Sequence, residues 1–496
     1  MDILINLIAV AVVILLFNFM IFIHELGHFL AAKWRGLQVE KFYIWFGKPI
    51  WKKTIKGVEY GIGSIPAGGF VALPQMAPME AIEGGDSAQR KELPPISPLD
   101  KIIVAFAGPL FSFLLALTAA ICVWQFGKPA DTVPTTEIGY ILADSPAEKA
   151  GLQLGDQIIA VDGTEVGRFM GGLDGLSENI MLTENKTVNL TVLRDGKKLE
   201  LTSQFQMDDT SWWQRRAMRK IGVSWADQMI LSGVREKSPA KEAGFKAGDQ
   251  ILMVNGVEVF SSPHFNDLLE KKVGQSAVVK VQRKEDGKQV IEELSLRSVV
   301  AIDIDTKKSD SEGRVFSLGM SFETSFDMGL IHPTPAQQVK DGVLLMLKTL
   351  QAITAKDSNV GIQHLSGPIG IGDAMFSFIR TDEALRRILW FMVVLNINLA
   401  IMNLMPLPVL DGGHIVLAIG EAITGKPVKL RLLEIVQTGF VAVLLTVFVY
   451  ITSKDIADLP LFSKKEVWGR NGFTWPVGAQ ETSALEEATT PLSNEN

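Results

Sequence analysis

Cysteine is nearly missing from this chain. Cys122 stands alone, so no internal disulfide framework can form, and its apolar surroundings read as those of a buried thiol. A dense basic patch is missing too; with a net charge of −7, nothing in the sequence invites nucleic acid, and none is expected as a partner. The apolar run at the N-terminus has no basic leader and no convincing cleavage site, and it is longer than a signal-peptide core. It reads as a retained helix. At 496 residues the chain is too long for one ordinary domain.

What the chain has in plenty is apolar sequence, unevenly spread. Residues 3–23, 102–126, 388–405 and 432–451 each approach the roughly 20 apolar residues that a bilayer-spanning helix needs. The expected fold is a polytopic α-helical membrane protein with four transmembrane helices, a membrane-associated β segment and two extramembrane β-rich domains. Residues 1–32 supply the first span, 33–100 a polar loop and 101–127 the second span. In that loop, residues 58–65 and 66–73 read as short strands punctuated by turn residues, and 80–98 as a mobile loop rich in charge, Gly and Pro.

An internal repeat follows. Ser145-Pro146-Ala147, Ala150-Gly151-Leu152, Gly155-Asp156, Ile158 and Val161-Asp162-Gly163 recur, 93 residues on, as Ser238-Pro239-Ala240, Ala243-Gly244-Phe245, Gly248-Asp249, Ile251 and Val254-Asn255-Gly256. Two copies indicate a duplicated domain, not a solenoid. Alternating apolar residues at 188–193 and 278–281 make each copy β-rich, and the Asp-Gly and Asn-Gly pairs fit tight turns. The copies are placed at residues 135–206 and 222–300. Residues 330–384 form a connecting segment whose stretch 336–354 is amphipathic. The third span and the segment after it take 385–430, the fourth span 431–451, and the tail 452–496, polar and disordered from Gln480 on.

The chemistry is concentrated in His24-Glu25-Leu26-Gly27-His28, an H-E-x-x-H motif at the end of the first span. Residues four apart share a helix face, so both imidazoles can reach one metal ion, with Glu25 nearby as general base. Zinc fits imidazole nitrogen and brings the pKa of its water to about 7. The bland reading has the three side chains merely satisfying one another, but ionisable groups within a span are expensive without a strong local reason. A catalytic zinc site needs a third protein ligand. Among His264, His332, His364, Asp411 and His414, Asp411 is best placed. The first and third spans run in the same direction, so their C-terminal ends emerge on one side, and Asp411 follows the third. His414 stays open as the alternative. The prolines in Asn403-Leu404-Met405-Pro406-Leu407-Pro408 forbid a regular helix there. Asn396, Asn398 and Asn403 either line the site or bond one helix to another.

In these residues the chain resembles the site-2 proteases, and within them the bacterial regulator-of-sigma-E protease branch with two PDZ domains. Ala107-Gly108-Pro109, the Gly-Gly-Phe segment at Phe70 and Leu365-Ser366-Gly367-Pro368-Ile369-Gly370 agree with it. The resemblance implies that His24, His28 and Asp411 bind zinc, that Glu25 is the base, and that Asn403 and Pro408 help hold the substrate strand. It also implies an edge-strand substrate contact in residues 58–73, at Gly68, Gly69 and Phe70. One departure is Ser112, which stands where the family often has Asn; another is the long tail.

The implied function is zinc-dependent hydrolysis of peptide bonds within the membrane segments of single-span proteins, either anti-sigma factors or signal-peptide remnants. PDZ domains would regulate access, as a size filter or by capturing a new C-terminus. Lys33, Arg35, Lys41, Lys48, Lys52, Lys53 and Lys56 place the first loop in the cytoplasm, against no basic side chain in Met1-Asp2. Lys426, Lys429 and Arg431 agree; Arg386 and Arg387 disagree. The expected location is the bacterial cytoplasmic (inner) membrane, with the active site near the cytoplasmic side and both repeats outside. Two rivals are a non-catalytic PDZ membrane scaffold with a structural metal, and a transporter, for which repeated broken spans are lacking.

Overall fold

The computed structural model describes residues 2–76, 96–271, 274–285, 287–298, 300–303, 314–316, 318–323, 329–425, 430–459 and 473–474. The mobile loop expected at 80–98 lies outside the described residues as far as 95, as do the tail from Gln480 and the side chains of Lys426, Lys429 and Arg431.

Among the described residues four helices are long and apolar enough to cross a membrane: Leu4–Trp34, Pro98–Phe126, Ala384–Asn403 and Ile435–Asp458. They belong to α1 (Asp2–Trp34), α2 (Pro98–Phe126), α5 (Ala384–Asn403) and α7 (Leu430–Asp458). Ser97 caps α2 by accepting from the Asp100 amide, with Pro98 in the first turn where its missing N–H costs nothing. α2 is the hub, packed against both α1 and α5. Its contact face is built of small residues, Ala105, Ala107, Gly108, Ser112, Ala116, Ala119 and Ala120, all buried. In a lipid-like setting close backbone approach of this kind is what holds helices together.

Between α1 and α2 the chain forms a four-stranded sheet from β1 (Lys41–Phe46), β2 (Trp51–Ile55), β3 (Val58–Ile62) and β4 (Ile65–Ala72), in the order β2-β3-β1-β4. The β2–β3 turn is Lys56-Gly57, both at positive φ, as a two-residue hairpin loop requires. β1 pairs with β3 in parallel and with β4 antiparallel. β4 is therefore an edge strand, and it lies against α1. One core, with Ala31, Ala32, Phe42, Val58, Val71, Leu73, Val104 and Ala107 buried, joins the sheet to the ends of α1 and α2.

The repeat folds as two β units of matching plan. The four-stranded sheet Gln157–Val161, Thr164–Glu165, Val188–Arg194, Lys197–Ser203 has its counterpart in Gln250–Val254, Val257–Glu258, Ser276–Glu285, Lys288–Arg297. Asp162-Gly163 and Asn255-Gly256 are two-residue turns with φ positive throughout. The expected boundaries need correction. Strand Val223–Trp225, assigned above to 222–300, pairs with Ile138–Ile141 and belongs to the first unit. Strand Met320–Phe322, beyond residue 300, pairs with Leu231–Val234 and closes the second. Each unit thus ends on a strand that returns to its own first strand, separated in sequence from the repeated motif and so invisible in it.

Other boundaries also move. α1 carries the H-E-x-x-H motif inside the helix, ten residues before Trp34, not at its end. The connecting segment 330–384 holds two helices, α3 (Pro335–Thr354) and α4 (Pro368–Ile379), of which only the first shows an amphipathic pattern in the sequence. The segment after the third span is not all irregular: α5 stops at Asn403, residues 404–410 are non-helical, and α6 (Asp411–Thr424) begins on Asp411. α7 runs to Asp458 and packs chiefly on α4.

Candidate metal centre

His24 and His28 lie one turn apart on α1, both buried, with ring centroids 4.9 Å apart. Their Nε2 atoms are 3.3 Å from one another. Asp411, the first residue of α6, brings its two carboxylate oxygens to 3.3 Å from His24 Nε2 and 3.3 Å from His28 Nε2. All ligand-capable atoms of the trio fall within 4.8 Å of one another, and among the described residues no other such trio occurs. Tetrahedral zinc with bonds of about 2.0–2.1 Å holds its ligand atoms about 3.3 Å apart. The spacing of this trio fits that geometry.

The far side of each imidazole is also engaged. His28 Nδ1 lies 2.8 Å from the Val104 carbonyl, which can only accept, so Nδ1 carries the proton and Nε2 presents its lone pair inward. His24 Nδ1 lies 3.0 Å from Ser112 Oγ, on the same helix α2. Two imidazole lone pairs and a carboxylate facing one another in a buried pocket repel unless a cation or proton sits among them. A divalent metal meets that demand, and the donor set of two imidazoles and one carboxylate suits zinc.

The backbone around the trio explains the motifs that carry it. A side chain on Gly108 would run into the His28 ring, so α2 can pass this close only with glycine there. Pro109 has no N–H for the Ala105 carbonyl four residues back, in the stretch of α2 that also offers the Val104 carbonyl to His28. Side chains on Gly412 and Gly413 would strike the carbonyls of Leu404, Met405 and Leu407; the loop 404–410 folds tightly over the start of α6 and so delivers Asp411.

Glu25 sits on α1 beside β4: a side chain built on Gly69 would lie 3.5 Å from its Cγ. Gly69 faces Ile44 of β1, and Phe70 stacks beside Phe46 and packs on Tyr43, with centroids 6.0 and 5.3 Å apart. Gly68 has φ of +79°, and a Cβ there would collide with the Phe46 ring. Asn403 places Nδ2 3.3 Å from His24 Nε2, at the edge of the trio. The carbonyl of Pro408 accepts from Gln437 Nε2 at 3.2 Å, tying the loop to α7.

Other candidates stay outside. Asn396 bonds the Met392 carbonyl of its own helix rather than another helix, and Asn398 is half-buried without joining the trio. His414 is buried on α6 but is not one of the converging groups. His264 caps its turn within the second β unit, His332 bonds the Trp124 carbonyl, and His364 bonds Arg216. Reading the sequence did not find the roles of Ser112, Val104 and Gln437. Only Ser112 left a trace, as a hydroxyl in the middle of an apolar span.

Comparison with known proteins shows the family. The model of peptidase family M50 matches residues 12–447. The chain is 32% identical over 476 residues to a candidate zinc metalloprotease of Pasteurella multocida, covering 90% of this chain and 98% of that protein. It is 30% identical over 456 residues to the regulator of sigma E protease of Haemophilus influenzae, covering 88% and 96%. To the protease RseP of Yersinia pestis it is 29% identical over 441 residues, covering 85% and 92%. Matched over most of its length, the chain belongs to peptidase family M50, the site-2 proteases, and is a zinc-dependent metalloprotease.

Proposed function

We propose that this protease hydrolyses peptide bonds within the membrane segments of single-span proteins, with His24, His28 and Asp411 holding zinc and Glu25 as general base. The observation that carries this reading is the meeting of the buried trio with Glu25 and the edge strand β4. Nε2 of both histidines and the Asp411 carboxylate converge on one point of α1, and Gly69 of β4 passes beside Glu25. His24 lies about 15 Å along α1 from Trp34, well inside the first candidate span.

A membrane helix hides its peptide groups in internal hydrogen bonds, so the scissile segment must unwind before attack. Among the described residues no strand pairs with the outer edge of β4, and that edge can take up the released N–H and C=O groups by strand addition. Gly68 and Gly69 add no side chain to that edge, and Asn403 and Pro408 would help hold the segment. His24, His28 and Asp411 would hold the zinc ion, which would supply Lewis acidity toward the scissile carbonyl and the attacking water. Glu25 takes a proton from that water and passes it to the leaving amine. His28, fixed by Val104, and His24, fixed by Ser112, keep their donor atoms aimed inward throughout.

The basic residues of the first loop support a cytoplasmic location for it in a bacterial inner membrane, with the catalytic ends of α1 and α5 near that side. The two β units then face outside. Their plan fits PDZ domains, and relatives named for sigma E regulation support an anti-sigma factor as substrate, with signal-peptide remnants as a second class. The non-catalytic scaffold with a structural metal is the weaker reading, because three ligands leave a zinc ion one open position and structural sites are closed.

Glu25→Gln tests the assignment. Removing the base lowers turnover of a membrane-embedded substrate by about 100- to 10,000-fold while the fold is kept. Turnover retained at the wild-type rate in a folded Glu25→Gln protein rejects it.

A further inference from the structure

Residues 206–220 leave the first β unit as a loop, pinched at its base where the backbones of Gln206 and Lys220 bond each other at 2.7 and 2.9 Å. The loop lands on the end of α7. Lys454 Nζ donates to the carbonyls of Trp212 and Gln214 at 3.0 and 3.1 Å. Arg215 pairs with Asp455, whose side chain is fully buried, and with Asp458 at 2.9 Å. The carbonyls of Arg216 and Ala217 bond His364 and Asn359 at 3.0 and 2.8 Å. So many anchors fix the loop's height relative to the fourth span.

That height is where a bilayer ends. The apolar run 432–451 of α7 covers about 30 Å at 1.5 Å per residue, the thickness of the hydrocarbon core, and Lys454 follows within about one turn. At this level the loop exposes two large indoles, Trp212 at 86% and Trp213 at 51%. They are not alone: Tyr450 on α7 and Trp124 at the end of α2 are each 44% exposed. Indoles prefer the headgroup layer, where the ring is shielded and the N–H still finds a polar partner. Arg216, exposed beside them, offers a guanidinium to lipid phosphates.

We propose that residues 206–220 are a membrane-seated foot of the first β unit, with Trp212 and Trp213 inserted into the lipid headgroup layer. The foot would hold the unit at a fixed height above the helices, an attachment additional to the covalent connections.

The test uses full-length protein carrying Cys122→Ser, with Trp212→Cys or Trp213→Cys labelled by an environment-sensitive fluorophore. It is reconstituted in vesicles of phosphatidylcholine and phosphatidylglycerol, and Lys198→Cys on an exposed hairpin serves as reference. The foot predicts blue-shifted emission at both tryptophan positions relative to 198, with stronger quenching by headgroup-nitroxide lipid than by aqueous iodide. Iodide quenching as strong as at 198 overturns it. Shielding seen in native membranes but lost in vesicles of lipid alone also overturns it, because the indoles would then meet a protein.

Discussion

Ser112 shows how one hydroxyl can matter inside an apolar helix. Its Oγ meets His24 Nδ1 at 3.0 Å, which orients the ring so that Nε2 faces His28 and Asp411. Removing a partner behind a metal-binding imidazole costs about 10- to 100-fold in affinity. Ser112→Ala should therefore give up zinc to a competing chelator at correspondingly lower chelator concentration, and Ser112→Asn, restoring a polar group, should recover part of the loss. Unchanged zinc retention in Ser112→Ala would leave the hydroxyl without this function. The H-E-x-x-H pair was legible because a four-residue spacing on a helix dictates a shared face. Ser112 and Val104 were not, because their contacts to α1 cross from another helix, and no local pattern in the sequence encodes which faces of two helices touch.

At the scale of elements, β4 brings strand chemistry to a helical site. Its pairing with β1 uses one edge, no strand among the described residues takes the other, and Gly69 sets the distance to Glu25. Gly69→Val would push a branched side chain toward Glu25 Cγ and the Tyr43 carbonyl, crowding the edge. The expected result is slower cleavage of a membrane-embedded substrate with zinc content unchanged; equal cleavage by Gly69→Val and wild type would argue against strand addition here. The strands expected at 58–65 and 66–73 were readable from turn residues and fold as Val58–Ile62 and Ile65–Ala72. β1 and β2 were not, since Trp51–Ile55 is exposed throughout and carries no burial pattern of its own. α6 was missed for a related reason: the prolines before it announce a broken chain, while Asp411-Gly412-Gly413 looks like more of the same. Close packing of those glycines under residues 404–407 is a tertiary fact.

For the molecule as a whole, span parity was enough to bring the ends of α1 and α5 to one side, because each crossing reverses direction. Domain limits were harder. The repeated motif marks the middle of each β unit, but each closing strand lies far along the chain, so a deletion cut at the motif's own limits would strand Met320–Phe322. Removing residues 133–323 takes out both units with their closing strands. If they act as a size filter, this deletion should cleave a substrate with an intact outer domain that the full chain spares; loss of cleavage of every substrate would favour a docking role instead. The account rests above all on three side chains from α1 and α6 sharing one zinc ion. Metal analysis of purified, folded protein tests this most directly: wild type should carry zinc in equal ratio to chain, and Asp411→Ala should lose most of it. Zinc retained at the wild-type ratio by Asp411→Ala would contradict the shared site.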